Sequence, residues 1–280
     1  MTSPDDANKQ LLGGFAHVDY STSRQFSRRL DAMHALEFFK AYKRQTFALM
    51  RIGVGSRVGD IGCGTGEDAK NLSEIVGVHG DVTGFDISEA MLREARLRYG
   101  NVHNLAFVLS GANRVDAPTA YFDAVRLDRV LTHVSDIPAV FAELRRIVKP
   151  GGRIVISEPD MPGIWQNSRH PQLSAKIFRA IADSCAQPYA ARNLYPTFSD
   201  TGLIEVELHL HSAAIADPST AETILNFEAT IKVMLAVGSL TTEESALWIN
   251  EFEEQRRQAR FLGGITVFVV AGTNPGTNAQ

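Results

Sequence analysis

The chain has 280 residues, of which 44% are hydrophobic and 21% charged, and a formal net charge of −4. That composition belongs to an ordinary globular protein, with enough chain for a full core and about one to two domains. The lack of a basic stripe excludes a nucleic-acid backbone as partner, and the two isolated cysteines, Cys63 and Cys185, supply no disulfide framework and fit a reducing cytoplasm.

Residues 1–12 are polar and acidic, which predicts neither a signal peptide nor an ordered element. Residues 22–52 carry Leu30, Met33, Leu36, Phe39 and Tyr42 at helical spacing. The run Val58-Gly-Asp-Ile-Gly-Cys-Gly-Thr-Gly-Glu67 then reads as the end of a buried strand, a glycine-rich turn and the start of a helix. Glycines 62, 64 and 66 let the backbone bend sharply and let a ligand approach. The free N–H groups of the next helix welcome an anionic group. A second strand-like run, Asp81-Val-Thr-Gly-Phe-Asp86, ends on a carboxylate that can accept hydrogen bonds from ribose hydroxyls. Cys63 reads as a small turn residue rather than a nucleophile. These features describe a nucleoside-binding βαβ unit.

Further strands follow at Phe107–Ser110, from Phe122, and in the run through Pro150-Gly-Gly to Asp160. The alternation over 56–157 predicts a parallel sheet with right-handed crossovers and a ligand site at the carboxyl ends of the strands. Past Asp160 the alternation stops. A loop at 161–171 precedes helices near 172–186 and 190–201. Val206–His211 alternates like a half-exposed strand, with His209 and His211 toward solvent. Helices at about 219–237 and 241–259 lead to a last strand, Gly264–Ala271, and the tail from Asn274 is expected to fray. The longest apolar runs are too short to span a bilayer, so no membrane insertion is expected.

The spacing decides which nucleoside. In a Gly-x-Gly-x-x-Gly dinucleotide fingerprint the third glycine would fall on Glu67 or Ala69. Glu67 and Asp68 would also repel a pyrophosphate at the helix start. The pattern Asp-x-Gly-x-Gly-x-Gly instead resembles the first motif of class I S-adenosylmethionine (SAM) methyltransferases. The second motif of that family resembles Gly84–Leu92. Its fourth strand and turn resemble Phe122–Val134, and its helix, turn and fifth strand resemble Leu144–Asp160. The nearest subgroup is that of ubiquinone and menaquinone methyltransferases and natural-product tailoring enzymes.

The resemblance implies an α/β fold: a Rossmann-like, mostly parallel seven-stranded sheet with helices on both faces and an antiparallel last strand. Residues 1–50 would form an N-terminal helical lid. Residues 51–280 would form the catalytic domain, with helical cap insertions at about 161–200 and 215–260. It implies a cofactor site made of Asp60, Gly62, Cys63, Gly64, Gly66, Asp86, Ile87, Met91, Gly111, Ala112, Asn113, Leu127 and Asp128. Asp86 would hold the ribose and Ile87 would lie against the adenine. Where the family has an acid for the adenine amino group, this chain has Gly111. Asn113, or the backbone of Gly111 and Ala112, would have to replace it.

The chemistry expected is SAM-dependent methyl transfer to the oxygen or carbon of a small apolar or aromatic metabolite. An oxygen or carbon acceptor must lose a proton, so a base is useful. His133 is the candidate, with activity rising through about pH 6.5 if its pKa is unperturbed. Its other reading is a residue that only opens the next helix. Tyr20 (with Phe15) in the lid, Asp160, Trp165 and His170 are candidate substrate contacts, and either Asp160 or Glu158 could hold the methionine ammonium or a substrate group. Glu158 and Asp160 could equally fix the turn. No metal-ligand spacing appears. A small-molecule partner is expected, and a homodimer is compatible with the sequence. The rival readings are a SAM-fold enzyme that cyclises or rearranges its substrate without methylation, and a non-catalytic SAM-binding regulatory subunit.

Overall fold

A computed structural model describes residues 23–276 of the protein; Phe15 and Tyr20 lie outside the described residues. Two helices, α1 (Ser23–Ala35) and α2 (Glu37–Leu49), come first. The alternating part follows as β1 (Arg57–Ile61), α3 (Glu67–Val76), β2 (Asp81–Asp86), α4 (Glu89–Tyr99), β3 (Leu105–Leu109), β4 (Phe122–Asp128), α5 (Ile137–Ile147) and β5 (Val148–Pro159). Next come β6 (Trp165–Gln166), α6 (Pro171–Asp183), α7 (Ala190–Asp200) and β7 (Ile204–Ile215). Helices α8 (Pro218–Leu225), α9 (Phe227–Ala236) and α10 (Thr242–Arg257) precede β8 (Gly263–Thr273).

The sheet runs β3-β2-β1-β4-β5-β8, with β7 on the outer edge of β8 and the two-residue β6 beside the start of β8. Strands β1 to β5 are mutually parallel, and β8 is antiparallel to both β5 and β7. The expected Rossmann-like sheet with an antiparallel last strand is therefore present, with β6 as a short eighth strand. The chain order reverses between β1 and β4, which opens a crevice above their carboxyl ends.

The two faces carry separate cores. On one, Leu72 and Val76 of α3 and Phe39 and Tyr42 of α2 pack on Val58, Ala124 and Val155. On the other, Val140, Phe141 and Leu144 of α5 and Leu194 and Phe198 of α7 pack on Val125, Leu127 and Ile156. Helix α2, expected as part of a lid, is thus a core helix with Tyr42 fully buried. Helices α8 to α10 lie in the chain between the paired strands β7 and β8. Phe178, Phe227, Trp248, Phe252 and Phe261 give the cap an aromatic core, with neighbouring rings 5.1–5.7 Å apart. Aromatic pairs at such distances add packing beyond area burial. The helix expected over 219–237 is broken at Asn226, which takes φ +53.

Two edge features differ from expectation. On β7, Leu208 and Leu210 are exposed at 42% and 57%, while His209 and His211 are half-buried. Arg51 and Arg153 pull Glu207 inward at 3.0 and 2.7 Å, and this turns the polar stripe toward α2. Asn274 does not fray: it is buried and donates to the carbonyls of Arg145 and Val148.

Candidate active site

The glycine turn is built by backbone demand. Gly62, Gly64 and Gly66 take φ +77, +54 and +82, a region that side chains resist. A Cβ on Gly62 would collide with Val130, and one on Gly66 would come within 2.7 Å of the Phe107 ring. The N–H groups of Gly62 and Cys63 donate to the Phe85 carbonyl at 2.7 and 2.9 Å. Asp86, at the end of β2, accepts from the N–H of Gly64 and of Ser88, both at 2.8 Å. One carboxylate thus holds the turn and the start of the next loop together. Burial pushes the Cys63 thiol well up, so it remains protonated.

Above this turn opens a cavity of about 360 Å³, within the roughly 300–1,000 Å³ of ligand sites. It brings together Asp60, Gly62, Cys63, Gly64, Asp86, Ile87, Met91, Gly111, Ala112, Asn113, Asp128 and His133. Ile87 is 65% exposed there, an apolar surface without an apolar cover. A Cβ on Gly111 would lie 3.1 Å from Asn113 Oδ1, so that amide oxygen folds back over Gly111.

Several expected residues lie off this cavity. Leu127 is fully buried on the opposite face of the sheet, and Gly66 serves the packing of α3 on Phe107. Asp160 is held by Arg192 through two hydrogen bonds of 2.7 and 3.0 Å. Trp165 lines a separate small space under the cap, and His170 precedes α6. None of these lines the main cavity. Glu158 fixes the turn after β4 instead of facing it, accepting from Val130 N and Leu131 N at 2.7 and 2.5 Å. Burial raises its carboxyl to about 7 despite those bonds.

The sequence did not reveal a charged network beneath the cavity. Arg126, in the middle of β4 and 1% exposed, reaches Asp60 at 3.2 Å, Asp68 at 3.1 Å and Asp128 at 3.3 Å. Lys43 of α2 meets Asp68 at 2.6 Å and Asp128 at 3.5 Å. Tyr42 and Ser157 donate to Asp128 at 3.1 and 2.5 Å. Burial alone would raise the Asp128 carboxyl, but Arg126, Lys43 and Arg129 outweigh it and hold it well below the usual range. Asp60 behaves oppositely: burial carries it up to about 6 against the pull of Arg126. Its Oδ2 is buried without a hydrogen-bond partner among the described residues. The network also revises one argument from sequence. Asp68 is neutralised by Lys43 and Arg126, so only Glu67 is left to repel a phosphate.

The far wall is apolar. Met161, Ile164, Ile224, Leu225, Ile265 and Val267 close it, with Leu30 and Met33 from α1. Arg29 of α1 ties this cover together by donating to the Thr223 carbonyl at 2.8 Å and to the Ile224 carbonyl at the end of α8. His133 sits on a single 3₁₀ turn, Leu131–His133, after β4. Burial, and then Arg129, lowers its pKa to about 4, so it is neutral at pH 7. Among the described residues no cluster of His, Cys, Asp and Glu could hold a metal ion, and no helix is long and apolar enough to cross a membrane.

The arrangement suits SAM. The glycine cradle excludes side chains, Asp86 offers oxygens where a ribose would lie, Ile87 offers a shelf for a base, and Asp60 Oδ2 awaits a donor. Comparison with known proteins agrees. The family described as "Methyltransferase domain" matches residues 59–156. An uncharacterised 37.1 kDa protein of transposon TN4556 from Streptomyces fradiae is 26% identical over 242 residues, 86% of this chain and 69% of that protein. The demethylmenaquinone methyltransferase of Listeria welshimeri is 33% identical over 150 residues, 51% of this chain; the chain spans 63% of that enzyme's length. Geranyl diphosphate C-methyltransferase from Streptomyces coelicolor, solved with S-adenosyl-L-homocysteine (SAH), shares the fold at TM-score 0.52 and 17% identity, covering 86% of this chain and 80% of that one. Residues 59–156 thus carry a methyltransferase domain, and the sheet order around them is that of the class I SAM-dependent methyltransferase fold.

Proposed function

We propose that the protein transfers a methyl group from SAM to oxygen or carbon of a small, apolar or aromatic metabolite. The observation that carries this reading is one continuous cavity with two unlike halves. The glycine turn, Asp86 and Ile87 suit an adenosine, and the Met161, Ile164, Ile224 and Leu225 wall suits an apolar body. The likeness to an enzyme that acts on demethylmenaquinone supports an apolar acceptor.

SAM, when bound, supplies an electrophilic methyl on a sulfonium that becomes a neutral thioether as the methyl leaves. The residues of this chain position and exclude water. Asp86, kept oriented by its bonds to Gly64 and Ser88, would hold the ribose hydroxyls. Asp60 Oδ2 would accept from the ammonium. Asn113, folded over Gly111, would hold the adenine edge. Arg29 keeps α1 and α8 closed over the site, and alignment of the reactants supplies much of the barrier reduction. His133 takes the acceptor's proton. With its pKa near 4 it is uncharged and able to accept, but it is a weak base, so the acceptor must be acidic or made acidic.

Two measurements test the reading. SAH at about a hundredfold its dissociation constant should stabilise the protein by about 2.7 kcal/mol, and NAD should not. With SAM and naphthoquinol or phenol acceptors, product mass should rise by one CH2. Stabilisation by NAD alone refutes the cofactor. A product of unchanged mass points to cyclisation or rearrangement, and SAM binding without any turnover points to a regulatory subunit.

A further inference from the structure

The apolar half of the cavity is bordered by two guanidinium groups and by two imidazoles that burial keeps uncharged at pH 7. Arg29 and His34 come from α1, and Arg129 and His133 from the turn after β4. Arg129 is the hub of this set: its charge is felt by Arg29, His34 and His133 alike. Its backbone takes φ +59, rare for a residue with a side chain, and its N–H is pinned to the Ser157 carbonyl at 2.8 Å. Such conformations persist where the surroundings impose them, and they cluster at functional sites.

The strained backbone delivers a guanidinium that is poorly used by the protein itself. Its Cζ lies 5.3 Å from the centre of the Phe39 ring. One hydrogen bond goes from Nη1 to the Met33 thioether at 3.3 Å, a weak acceptor. Its Nε is 3.4 Å from Asp128 but has no hydrogen-bond partner among the described residues. Asp128 is already shared by Arg126, Lys43, Tyr42 and Ser157. A guanidinium offers five donors in a fork that fits an oxyanion. Here most of that capacity is unspent, beside a wall of methionine and isoleucine side chains.

We propose that Arg129 receives an anionic group of the acceptor, so that the natural acceptor is an amphipathic acid: an apolar or aromatic body bearing one ionised carboxyl, phenol or enol. This deepens the proposed function and rests on it. It also answers the weakness of His133 as a base. A guanidinium beside an acidic hydroxyl favours its ionised form. The proton leaves through His133 to solvent, and the oxyanion's electron pair forms the new bond to the methyl carbon as the carbon–sulfur pair returns to sulfur. The same guanidinium could instead face the methionine carboxylate of the cofactor, so the test keeps the two apart.

The probes are 2-naphthoate and 2-naphthamide, nearly equal in shape and different in charge. Their affinities for the full chain are measured by calorimetry with SAH held about tenfold above its own dissociation constant for each variant. Naphthoate should bind the unsubstituted protein about tenfold or more tighter than naphthamide, as expected for a hydrogen-bonded charge pair. Arg129→Gln should bring the two probes to near equality, and Arg129→Lys should keep most of the preference. The ratio decides, whatever happens to SAH affinity. Equal binding of the two probes to the unsubstituted protein, or failure of naphthoate to bind at all, overturns the proposal without need of a variant. A preference that survives Arg129→Gln, with SAH affinity falling about tenfold, overturns it in favour of the cofactor carboxylate. Failure of SAH to bind the unsubstituted protein is a separate result, and it refutes the cofactor reading itself.

Discussion

Asp60 on β1 and Arg126 on β4 are register partners in the parallel sheet, and their side chains meet at 3.2 Å inside the protein, directly under the cavity. The pair is not symmetric. Arg126 also serves Asp68 and Asp128, whereas Asp60 leaves one oxygen without a hydrogen-bond partner among the described residues. Removing the cation should therefore cost more than removing the anion. Arg126→Met leaves three buried carboxylates short of a counter-charge and should cost about 3–5 kcal/mol. Asp60→Asn keeps a polar group of the same shape and should cost about 1 kcal/mol. Urea denaturation of both variants measures the two values; equal losses would show that Arg126 owes its burial to Asp60 alone.

Asp86 has two duties, and its variants should show both. Asp86→Ala deletes the acceptor for Gly64 N–H and Ser88 N–H as well as the ribose contact. Loss of one buried acceptor costs about 1–3 kcal/mol, so SAH affinity should fall roughly tenfold or more and the melting temperature should drop with it. Calorimetry and melting on one sample test this. An unchanged dissociation constant would remove Asp86 from the cofactor site.

The parts of this site that follow from local backbone rules were legible in the sequence. Gly62, Gly64 and Gly66 announce a turn, and Asp86 falls where the second strand must end. The strands β7 and β8 and the helices between them were legible from periodicity and length, while their antiparallel pairing was implied only by the family resemblance. The charged floor was not. Arg126 stands between Val125 and Leu127 in a run that must be buried on both faces. Only its placement against Asp60, Asp68 and Asp128 explains how it is tolerated there. A charge inside a central strand was the available signal. Arg29 and His34 were illegible because they reach the cavity through the packing of α1 on α8, which no spacing rule gives. On β7 the alternation was read correctly and its direction wrongly, because Arg51 and Arg153 draw the polar stripe inward.

Gly66 tests the glycine turn without touching a ligand. Its φ of +82 and the Phe107 ring 2.7 Å from a built Cβ leave no room for a methyl group. Gly66→Ala should cost about 1–3 kcal/mol through strain and overpacking. SAH should restore part of that stability if the turn still closes on it. A variant as stable as the parent would mean that β3 can move away from α3.

Stability should carry the signature of the buried His133. In the unfolded chain it gains a proton below about 6.5, while in the fold it stays neutral down to about 4. Its contribution is therefore present above pH 6.5 and lost as pH falls toward 4. Glu158 works in the opposite sense: raised to about 7 in the fold, it contributes fully below its ordinary value of 4.5 and loses that contribution as pH rises through 7. Comparing His133→Gln with the parent cancels Glu158. The parent should lose about 2–3 kcal/mol relative to the variant between pH 7 and pH 4.5. Parallel stability curves would place His133 in contact with water.

The kinetic role of His133 follows from the same burial. A base is active once deprotonated, and with a pKa near 4 that condition is met well below neutrality. The step at pH 6.5 expected for an ordinary histidine should be absent, and kcat should be level in His133's own titration from about pH 5.5 upward. Any rise near neutrality would then belong to the acceptor, and it should move when acceptors of different acidity are compared. His133→Ala should lower kcat by about 10²–10⁴ with SAH affinity nearly intact if the imidazole takes the proton. If His133 only packs the 3₁₀ turn, the variant should lose stability and keep kcat. The decisive comparison uses an acceptor already ionised at the assay pH. That acceptor has no proton to give, so a true base should matter least for it, and the loss caused by His133→Ala should shrink as acceptor acidity increases. A loss that is the same for every acceptor would assign His133 to positioning rather than proton transfer.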